Sequence, residues 1–264
     1  NTTGTANVSV GANALDANTT GSENVAVGYL ALSSADTVHN NTAVGCEALE
    51  KCHGSANTSV GFRALEESTS ADYGTAIGAY AGDALTTGDK NTLVGYDSGG
   101  GITSGYKNTC VGTNAGDAIT TGYNNTCIGE TSDPASATTE DSVTLGNVHI
   151  SSLRCNTTSI SSLSDGRDKT DVVDLPVGLD FINSVRPVKF KWQRRDPDRN
   201  DGKIRAGFIA QELQSAQGNN DYLDLILNDN PEKLEAKQGN LIPVMVQAIK
   251  ELSAKVEELE SKLN

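Results

Sequence analysis

A short apolar pattern recurs along the first half of the chain and ends each time at a glycine. An apolar residue directly precedes the glycine, a β-branched residue lies three positions before it, and the residue between them is usually small. The nine glycines are Gly11, Gly28, Gly45, Gly61, Gly78, Gly95, Gly112, Gly129 and Gly146. Neighbouring glycines are 17 residues apart, except for one interval of 16. A fixed period indicates stacked repeats, because each unit buries its apolar surface against the next unit.

Each repeat is predicted to contribute extended structure. The β-branched position and the apolar position lie two residues apart, so they share one face of a strand. Seventeen residues are too few for a strand–helix–strand unit, but they suffice for two short strands and two turns. An asparagine recurs four positions before most of the glycines, as at Asn7 and Asn24. Stacked asparagine side chains can hydrogen-bond from one coil to the next, so the pattern predicts a parallel β-roll over residues 1–147.

The pattern changes beyond this repeat. Residues 148–163 are rich in Ser and Thr and are predicted to form a connecting spacer. Five of the six prolines and the only tryptophan lie after Leu163, which indicates a second folded region over residues 164–264.

Near the end of the chain, apolar residues recur at alternating spacings of four and three. These residues are Met245, Ile249, Leu252, Val256, Leu259 and Leu263. The spacing predicts a helix over residues 241–264 that associates with other helices through a coiled-coil seam. The alternative is a single amphipathic helix that packs on its own region.

Composition narrows the possible partners. Only 36% of the residues are apolar, and the net charge is −14. Residues 1–163 hold 16 acidic and 5 basic residues, so this half would repel nucleic acid and anionic membranes. We interpret the basic run from Lys189 to Arg205 as a solvated face, because aspartates are interleaved with it. No window has the length of a membrane span, and no cofactor or metal is predicted.

The cysteines do not indicate a metal site. There are five, an odd number, and their spacing does not match that of metal ligands. We expect free thiols in a chain made in a reducing cytoplasm. Cys110 and Cys127 occupy the same position in adjacent repeats, where a disulfide is geometrically permitted. Two small buried thiols are the favoured state.

One polar segment after the spacer has candidate chemistry. Ser164 carries a hydroxyl, and Lys169 follows five residues later, close enough to reach it if the loop folds back. A serine–lysine pair works only when the lysine is neutral. Burial and a nearby positive charge both favour the neutral amine, and Arg167 is a candidate source of that charge. Taken alone, the segment is more typical of a polar turn at a domain boundary, because Asp165-Gly166 is turn chemistry.

Several motifs in order give this segment a specific interpretation. They are Ser164–Lys169, Gly178–Phe190, Phe190–Trp192, Gly207–Leu213 and the C-terminal helix. Together they resemble the intramolecular chaperone domain of endosialidase-type tailspikes and phage tail fibres. Asp168 departs from that pattern, since many members carry an apolar residue there.

The resemblance implies a domain that trimerises, templates the folding of the β-rich segment before it, and then cuts itself off. By this resemblance Ser164 attacks the carbonyl of Leu163, and Lys169 is the general base. The cleaved bond is then Leu163–Ser164, and the reaction occurs once per chain. The residues that would shape or orient the site are Asp165, Arg167, Gln211 and Glu212.

The repeat has a resemblance of its own. The pattern around each glycine is similar to the head repeats of trimeric autotransporter adhesins and to repeats of viral tail fibres, which are left-handed parallel β-rolls arranged as trimers. An interwoven triple β-helix is the alternative. Later copies replace an Ala-Leu pair by Ala81-Gly82, Ser98-Gly99 and Ala115-Gly116, which predicts a change of width or packing along the roll.

These observations predict a mainly β repeat followed by a smaller α+β chaperone domain, in a homotrimer. The expected protein is a viral tail fibre or spike, made in the host cytoplasm and carried on the virion. A host-surface glycan or protein is its expected receptor. One alternative is an adhesin whose C-terminal domain is a permanent trimerisation anchor. Another is a polysaccharide-cleaving spike whose catalytic acids lie elsewhere.

Overall fold

The computed structural model describes residues 1–150, 152–156, 161, 163–193 and 202–263. The chain divides into two compact units, Asn1–Ser152 and Leu153–Asn264. In the first unit nine three-residue strands pair in parallel, each with the next one along the chain. They are β1 (Val8–Val10), β2 (Val25–Val27), β3 (Thr42–Val44), β4 (Thr58–Val60), β5 (Thr75–Ile77), β6 (Thr92–Val94), β7 (Thr109–Val111), β8 (Thr126–Ile128) and β9 (Val143–Leu145).

This order confirms the repeat as a β-solenoid. Every strand pairs with its sequence neighbour in register, as Val25 does with Thr42 and Thr42 with Thr58. An interwoven triple β-helix would instead pair strands of different chains, so this alternative does not describe the repeat.

The alternation within each strand separates an inner from an outer face. The middle residue points into the roll, and Ala26, Ala43 and Leu93 are fully buried. The two flanking residues form the outer face, where Val111 and Ile128 are exposed. Small middle residues are needed in most coils because the interior is narrow. The β-branched flanking residues suit the pleated surface.

A buried asparagine ladder joins the coils, as predicted. The Oδ1 atom of Asn24 accepts the backbone N–H of Asn41 at 3.0 Å, and that of Asn41 accepts the N–H of Asn57 at 2.8 Å. The Nδ2 groups donate to backbone carbonyls, as from Asn57 to Ala71 at 2.8 Å. These side chains therefore satisfy backbone groups that would otherwise be buried without a partner.

The prediction of two strands per coil is wrong for the described coils, which contain one strand each. The rest of each coil is a run of turns with left-handed residues, such as Leu32 (φ 52°) and Leu49 (φ 52°). A positive φ interrupts an extended strand. The turns still bond to the next coil, since the N–H of Leu32 donates to the carbonyl of Ala48 at 3.0 Å.

The predicted change of packing occurs inside the roll without interrupting the sheet. In the first four coils a leucine fills the core four residues after the glycine, and in later coils that position is a glycine. The leucines are Leu15, Leu32, Leu49 and Leu65, and the glycines are Gly82, Gly99 and Gly116. Three residues further on, small side chains give way to buried Leu85, Ile102 and Ile119. The large side chain thus moves to another position while the interior stays filled.

The second unit is small and mixes helices with short strands. Its helices are α1 (Leu179–Ser184), α2 (Ala210–Gln217) and α3 (Leu241–Leu263). Its strands form two antiparallel pairs, β10 (Val188–Lys191) with β11 (Ile204–Gly207), and β12 (Ile226–Leu227) with β13 (Glu235–Ala236). One core holds it together, formed by Phe181, Leu213, Leu223, Leu225, Ile226, Leu241 and Val244.

The C-terminal helix presents two apolar faces. Leu241, Val244 and Ala248 are buried against the unit's own core. All six seam residues are exposed, from Val256 at 46% to Leu263 at 86%. The predicted helix is confirmed from Leu241 to Leu263, and Asn264 lies outside the described residues. One face of the helix thus packs on its own region while the seam residues do not, and association with other helices stays a prediction.

The structure also bears on the predictions for the cysteine pair, the membrane spans and the basic run. Cys110 and Cys127 are register partners on adjacent strands, and both are buried free thiols. No helix among the described residues is long and apolar enough to cross a bilayer. Residues 194–201, the middle of the basic run, lie outside the described residues. The division at residues 147 and 163 stays a prediction.

Candidate functional site

A short 3₁₀ turn folds the candidate segment back on itself. The turn spans Gly166–Asp168, and the side chain of Asp165 caps it by accepting the N–H of Arg167 at 2.9 Å. As a result the Nζ atom of Lys169 lies 2.6 Å from the Oγ atom of Ser164 and donates to it. The two predicted catalytic side chains are therefore in hydrogen-bond contact.

Arg167 is engaged with an acidic partner. Its guanidinium binds both carboxylate oxygens of Asp165, with an Nη2–Oδ2 distance of 2.5 Å. The contact with Arg167 lowers the pKa of Asp165. Because Asp165 balances its charge, Arg167 contributes less positive field at Lys169 than the sequence alone indicated.

The segment is open to solvent in the single chain. All described residues from 163 to 174 are exposed, including Ser164 and Lys169. The side chain of Leu163 is fully exposed, at 104% of its reference area. The chain thus brings nucleophile and base together but does not bury them, and burial is one of the two effects that favour a neutral lysine.

Gln211 and Glu212 lie on α2. The carboxylate of Glu212 forms an ion pair with Arg186, with an Nε–Oε2 distance of 3.0 Å. This contact lowers the pKa of Glu212. Among the described residues no hydrogen bond links Gln211 or Glu212 to Ser164 or Lys169. Sequence reasoning missed Arg186 as the partner of Glu212, although it lies in the Gly178–Phe190 motif.

An open pocket of about 640 Å³ lies beside Gln211. Its walls come from β10, the start of α2, and β13 with the residues around it. Most of the lining is apolar, and the rings of Phe190 and Trp192 meet edge to face with centroids 5.3 Å apart. The apolar lining residues are Phe190, Trp192, Phe208, Ile209, Ala210, Leu234 and Ala236. The pocket is suited to an apolar side chain with few polar contacts.

One group of carboxylates in the roll has the spacing of a cation site. Oxygen atoms of Glu47, Glu50 and Glu66 lie within 4.8 Å of one another. Arg63 already pairs with Glu47 at 2.6 Å and with Glu66 at 3.5 Å. Arg63 thus offsets charge on two of the three carboxylates, and we interpret the group as part of an ion-pair network, as on other acidic surfaces.

Comparison with known proteins gives a match within the second region. No curated protein and no solved structure shows significant similarity to the chain. A family model described as chaperone of endosialidase matches residues 164–222. It is a family of self-cleaving chaperones, which is consistent with autoproteolysis and supports a trimerisation-chaperone role of the tail-fibre kind. Residues 164–222 therefore match the chaperone-of-endosialidase family and follow a β-solenoid-like repeat, in the tail-fibre architecture that the sequence resembles.

Proposed function

We propose that this chain is part of a trimeric viral tail fibre or spike, and that its C-terminal region directs folding of the roll and then releases itself. Release occurs by autoproteolysis at Leu163–Ser164, with Ser164 as nucleophile and Lys169 as base. The observation that carries the proposal is the 2.6 Å contact between Lys169 and Ser164 at the first residue of the family match.

The outer face of the roll supports trimer formation. Across all nine strands its two flanking positions hold only Val, Ile, Leu or Thr, and several of them are exposed, including Val10 and Ile77. An uncharged apolar stripe of this extent is typical of a surface that another chain covers. The face has a similar, uncharged composition in every coil, so identical chains can pack side by side.

The seam of α3 supports the same conclusion independently. Its apolar side chains repeat with heptad spacing and point to solvent in the single chain. Three such helices bury their seams together in a coiled coil. The trimer is thereby fixed at a defined point of the chain.

The cleavage step uses groups of the chain and one water. The Ser164 hydroxyl attacks the carbonyl carbon of Leu163, and the neutral Lys169 amine accepts the hydroxyl proton. The bond from Leu163 to the Ser164 nitrogen breaks, and the leaving amine takes up a proton. Water then hydrolyses the resulting ester, which frees the Leu163 carboxylate and restores the Ser164 hydroxyl.

The need for a chaperone follows from the repeat. Sliding one roll along another by one coil conserves nearly every outer contact, because the coils repeat. Parallel non-local pairing is also slow and prone to aggregation. A unique trimeric module aligns the chains first, and its removal gives the finished fibre kinetic stability.

A denaturing gel of purified protein tests the cleavage. Wild type yields fragments of 163 and 101 residues, while Ser164→Ala and Lys169→Ala remain intact. Thr170→Ala is the matched control, because this exposed hydroxyl adjoins the same turn, and it is cleaved like wild type. An intact wild-type band, together with a native trimer mass, would replace cleavage by the permanent-anchor alternative. The exposure of Lys169 in the single chain favours that alternative.

A further inference from the structure

In a single chain, an exposed apolar side chain and an open apolar pocket of the second unit do not contact each other. The Leu163 side chain, next to the proposed scissile bond, is fully exposed. The apolar pocket between β10, α2 and β13 is open. Because Leu163 is fully exposed, it contacts none of the residues that line this pocket in the same chain.

Resting on the proposed function, we propose that the pocket of one copy receives the Leu163 side chain of a second copy. The pocket is then the binding site for the residue before the cleaved bond. Cleavage becomes a reaction between copies, in which one chain supplies Ser164 and Lys169 and its neighbour supplies the pocket. A single chain has the dyad but lacks the surroundings in which it works.

The pocket fits this occupant in shape and chemistry. Phe190, Trp192 and Leu234 offer apolar walls to a branched aliphatic side chain, which gains stability when it leaves water. Gln211, which the family resemblance places among the supporting residues, also lines the pocket. Its side-chain amide can donate a hydrogen bond to a carbonyl of a docked segment.

Docking would also change the surroundings of the dyad. Two lysines, Lys191 and Lys233, line the pocket. Glu235 lines it too and pairs with Lys233, so the lining carries two positive charges and one negative charge. When Leu163 is seated, Lys169, six residues further along the same segment, lies closer to this partly apolar lining. The net positive charge and the apolar surroundings both favour the neutral amine that the reaction requires.

The length of the segment allows it to reach a neighbour. Leu175 packs against the core of its own unit, and the described residues between 163 and 174 are exposed. With the 3₁₀ turn at Gly166–Asp168 kept, the remaining six residues of this stretch, 169–174, span up to about 20 Å when extended. The exposed seam of α3 is suited to hold neighbouring copies side by side, within that reach.

The first test changes the side chain that docks. Leu163→Asn keeps the size but makes the side chain polar, and it slows cleavage about tenfold or more. Leu163→Met stays within about twofold, because it remains apolar and fills a similar volume. Since Leu163 is fully exposed, neither change disturbs the folded single chain. Equal rates for both variants would overturn the pocket assignment.

The second test mixes two uncleaved variants. Trp192→Ala lacks a pocket wall but keeps Ser164, and Ser164→Ala keeps the pocket but lacks the nucleophile. Each stays intact alone. When they are co-expressed with tags of different size, the Trp192→Ala chain is cut within the mixed trimers, because its neighbour provides an intact pocket. Tyr222→Ala, an exposed aromatic of the same unit outside this pocket, is the control and is cleaved like wild type.

Each outcome decides a separate point. If Trp192→Ala alone is cut at the wild-type rate, the pocket is not used and the proposal is overturned. If Trp192→Ala stays intact in the mixed trimers, the pocket acts on its own chain and the role of a second copy is overturned. Failure of wild type to be cut would contradict the proposed function instead.

Discussion

The two units of this chain differ in how they bury polar groups and where they leave apolar ones. The roll has an interior of repeating layers in which Asn24, Asn41 and Asn57 are fully buried yet satisfied. The second unit has one irregular core around Phe181 and Val244, and its candidate site is exposed. The roll is therefore regular inside and along its outer face, while the second unit is unique throughout.

This contrast explains why one unit can assist the other. Regularity stabilises a roll, since each coil adds the same contacts, but it does not distinguish one alignment of chains from the next. A unique core and a single helix seam allow only one alignment. Variants of each unit test whether the second unit aligns the chains and the roll does not.

The largest effect is expected from breaking the seam. Leu252→Lys combined with Leu259→Lys places charges where three helices would meet, and like charges at a buried seam prevent association. The chains then fail to form native trimers, which native mass measurement and sedimentation detect as monomers and aggregates.

The matched control adds the same charges away from the seam. Ala254→Lys with Ser261→Lys lies on the same stretch of α3, is exposed, and keeps the trimer. A seam variant with a normal trimer mass and a normally folded roll would show that the second unit is not needed for alignment.

A smaller, local effect is expected inside the roll from Asn57→Ala. The Asn57 side chain donates to the carbonyl of Ala71 at 2.8 Å and accepts the N–H of Gly74 at 2.7 Å. Its loss leaves two buried backbone groups without partners, which costs about 2–4 kcal/mol. Thermal or denaturant unfolding of the roll measures this loss. Ser70→Ala, an exposed change in the same region, stays within about 0.5 kcal/mol.

Two glycines with similar backbone angles, one in each unit, allow the packing of the two units to be compared directly. Gly82 in the roll (φ +61°) and Gly202 in the second unit (φ +65°) have nearly the same backbone angle. A Cβ atom at Gly82 would lie 2.5 Å from Cδ1 of Leu93, whereas none of the described residues lies within 4 Å of one at Gly202. Gly82→Ala therefore costs about 2–3 kcal/mol, from strain and overpacking, and Gly202→Ala about 1 kcal/mol from backbone strain alone. Equal losses of unfolding free energy would mean that the roll core relaxes around the added methyl.

Much of the roll was predictable from its sequence because its signals repeat. The glycine, the strand residues and the asparagine recur in most repeats, so the prediction does not depend on a chance occurrence in any single repeat. The second strand of each coil was predicted wrongly, because the left-handed leucines at positions such as Leu32 resemble ordinary core residues in sequence. Only a folded coil shows that a residue with an intact Cβ adopts this conformation.

The candidate site was predictable in part. The contact between Ser164 and Lys169 follows from a five-residue spacing with a turn between them, which is local information. The pairing of Glu212 with Arg186 and the pocket beside Trp192 depend on segments that are far apart in sequence. Such non-local contacts leave no periodic signal, and the sequence placed Gln211 at the site only through family resemblance.

The smallest expected effect is an opposite response of the two units to pH. In the roll, burial raises the pKa of Asp133 to about 6, and burial also raises the pKa values of Glu66, Asp83 and Asp97. In the second unit, hydrogen bonds from the N–H of Leu179 and the side chain of Gln247 lower the pKa of Glu251. When folding raises the pKa of a carboxyl, protonation of that group stabilises the folded state relative to the unfolded state. When folding lowers the pKa, protonation destabilises the folded state.

The roll therefore becomes more stable as the pH falls from 7 to 5, since Asp133 takes up its proton in that window. Because Asp133 is only half-buried, we expect about 1 kcal/mol, or a rise in Tm of about 2–4 °C. The second unit holds its stability over this window and loses the contribution of Glu251 only at lower pH, because the pKa of this carboxyl is lowered in the folded state. Melting an uncleaved Ser164→Ala chain at several pH values separates the units, because the only tryptophan reports the second one and circular dichroism reports both. Asp133→Asn keeps an acceptor for the N–H of Ala118 and should weaken the pH dependence of stability in the roll alone. Parallel pH responses of the two units would contradict this contrast.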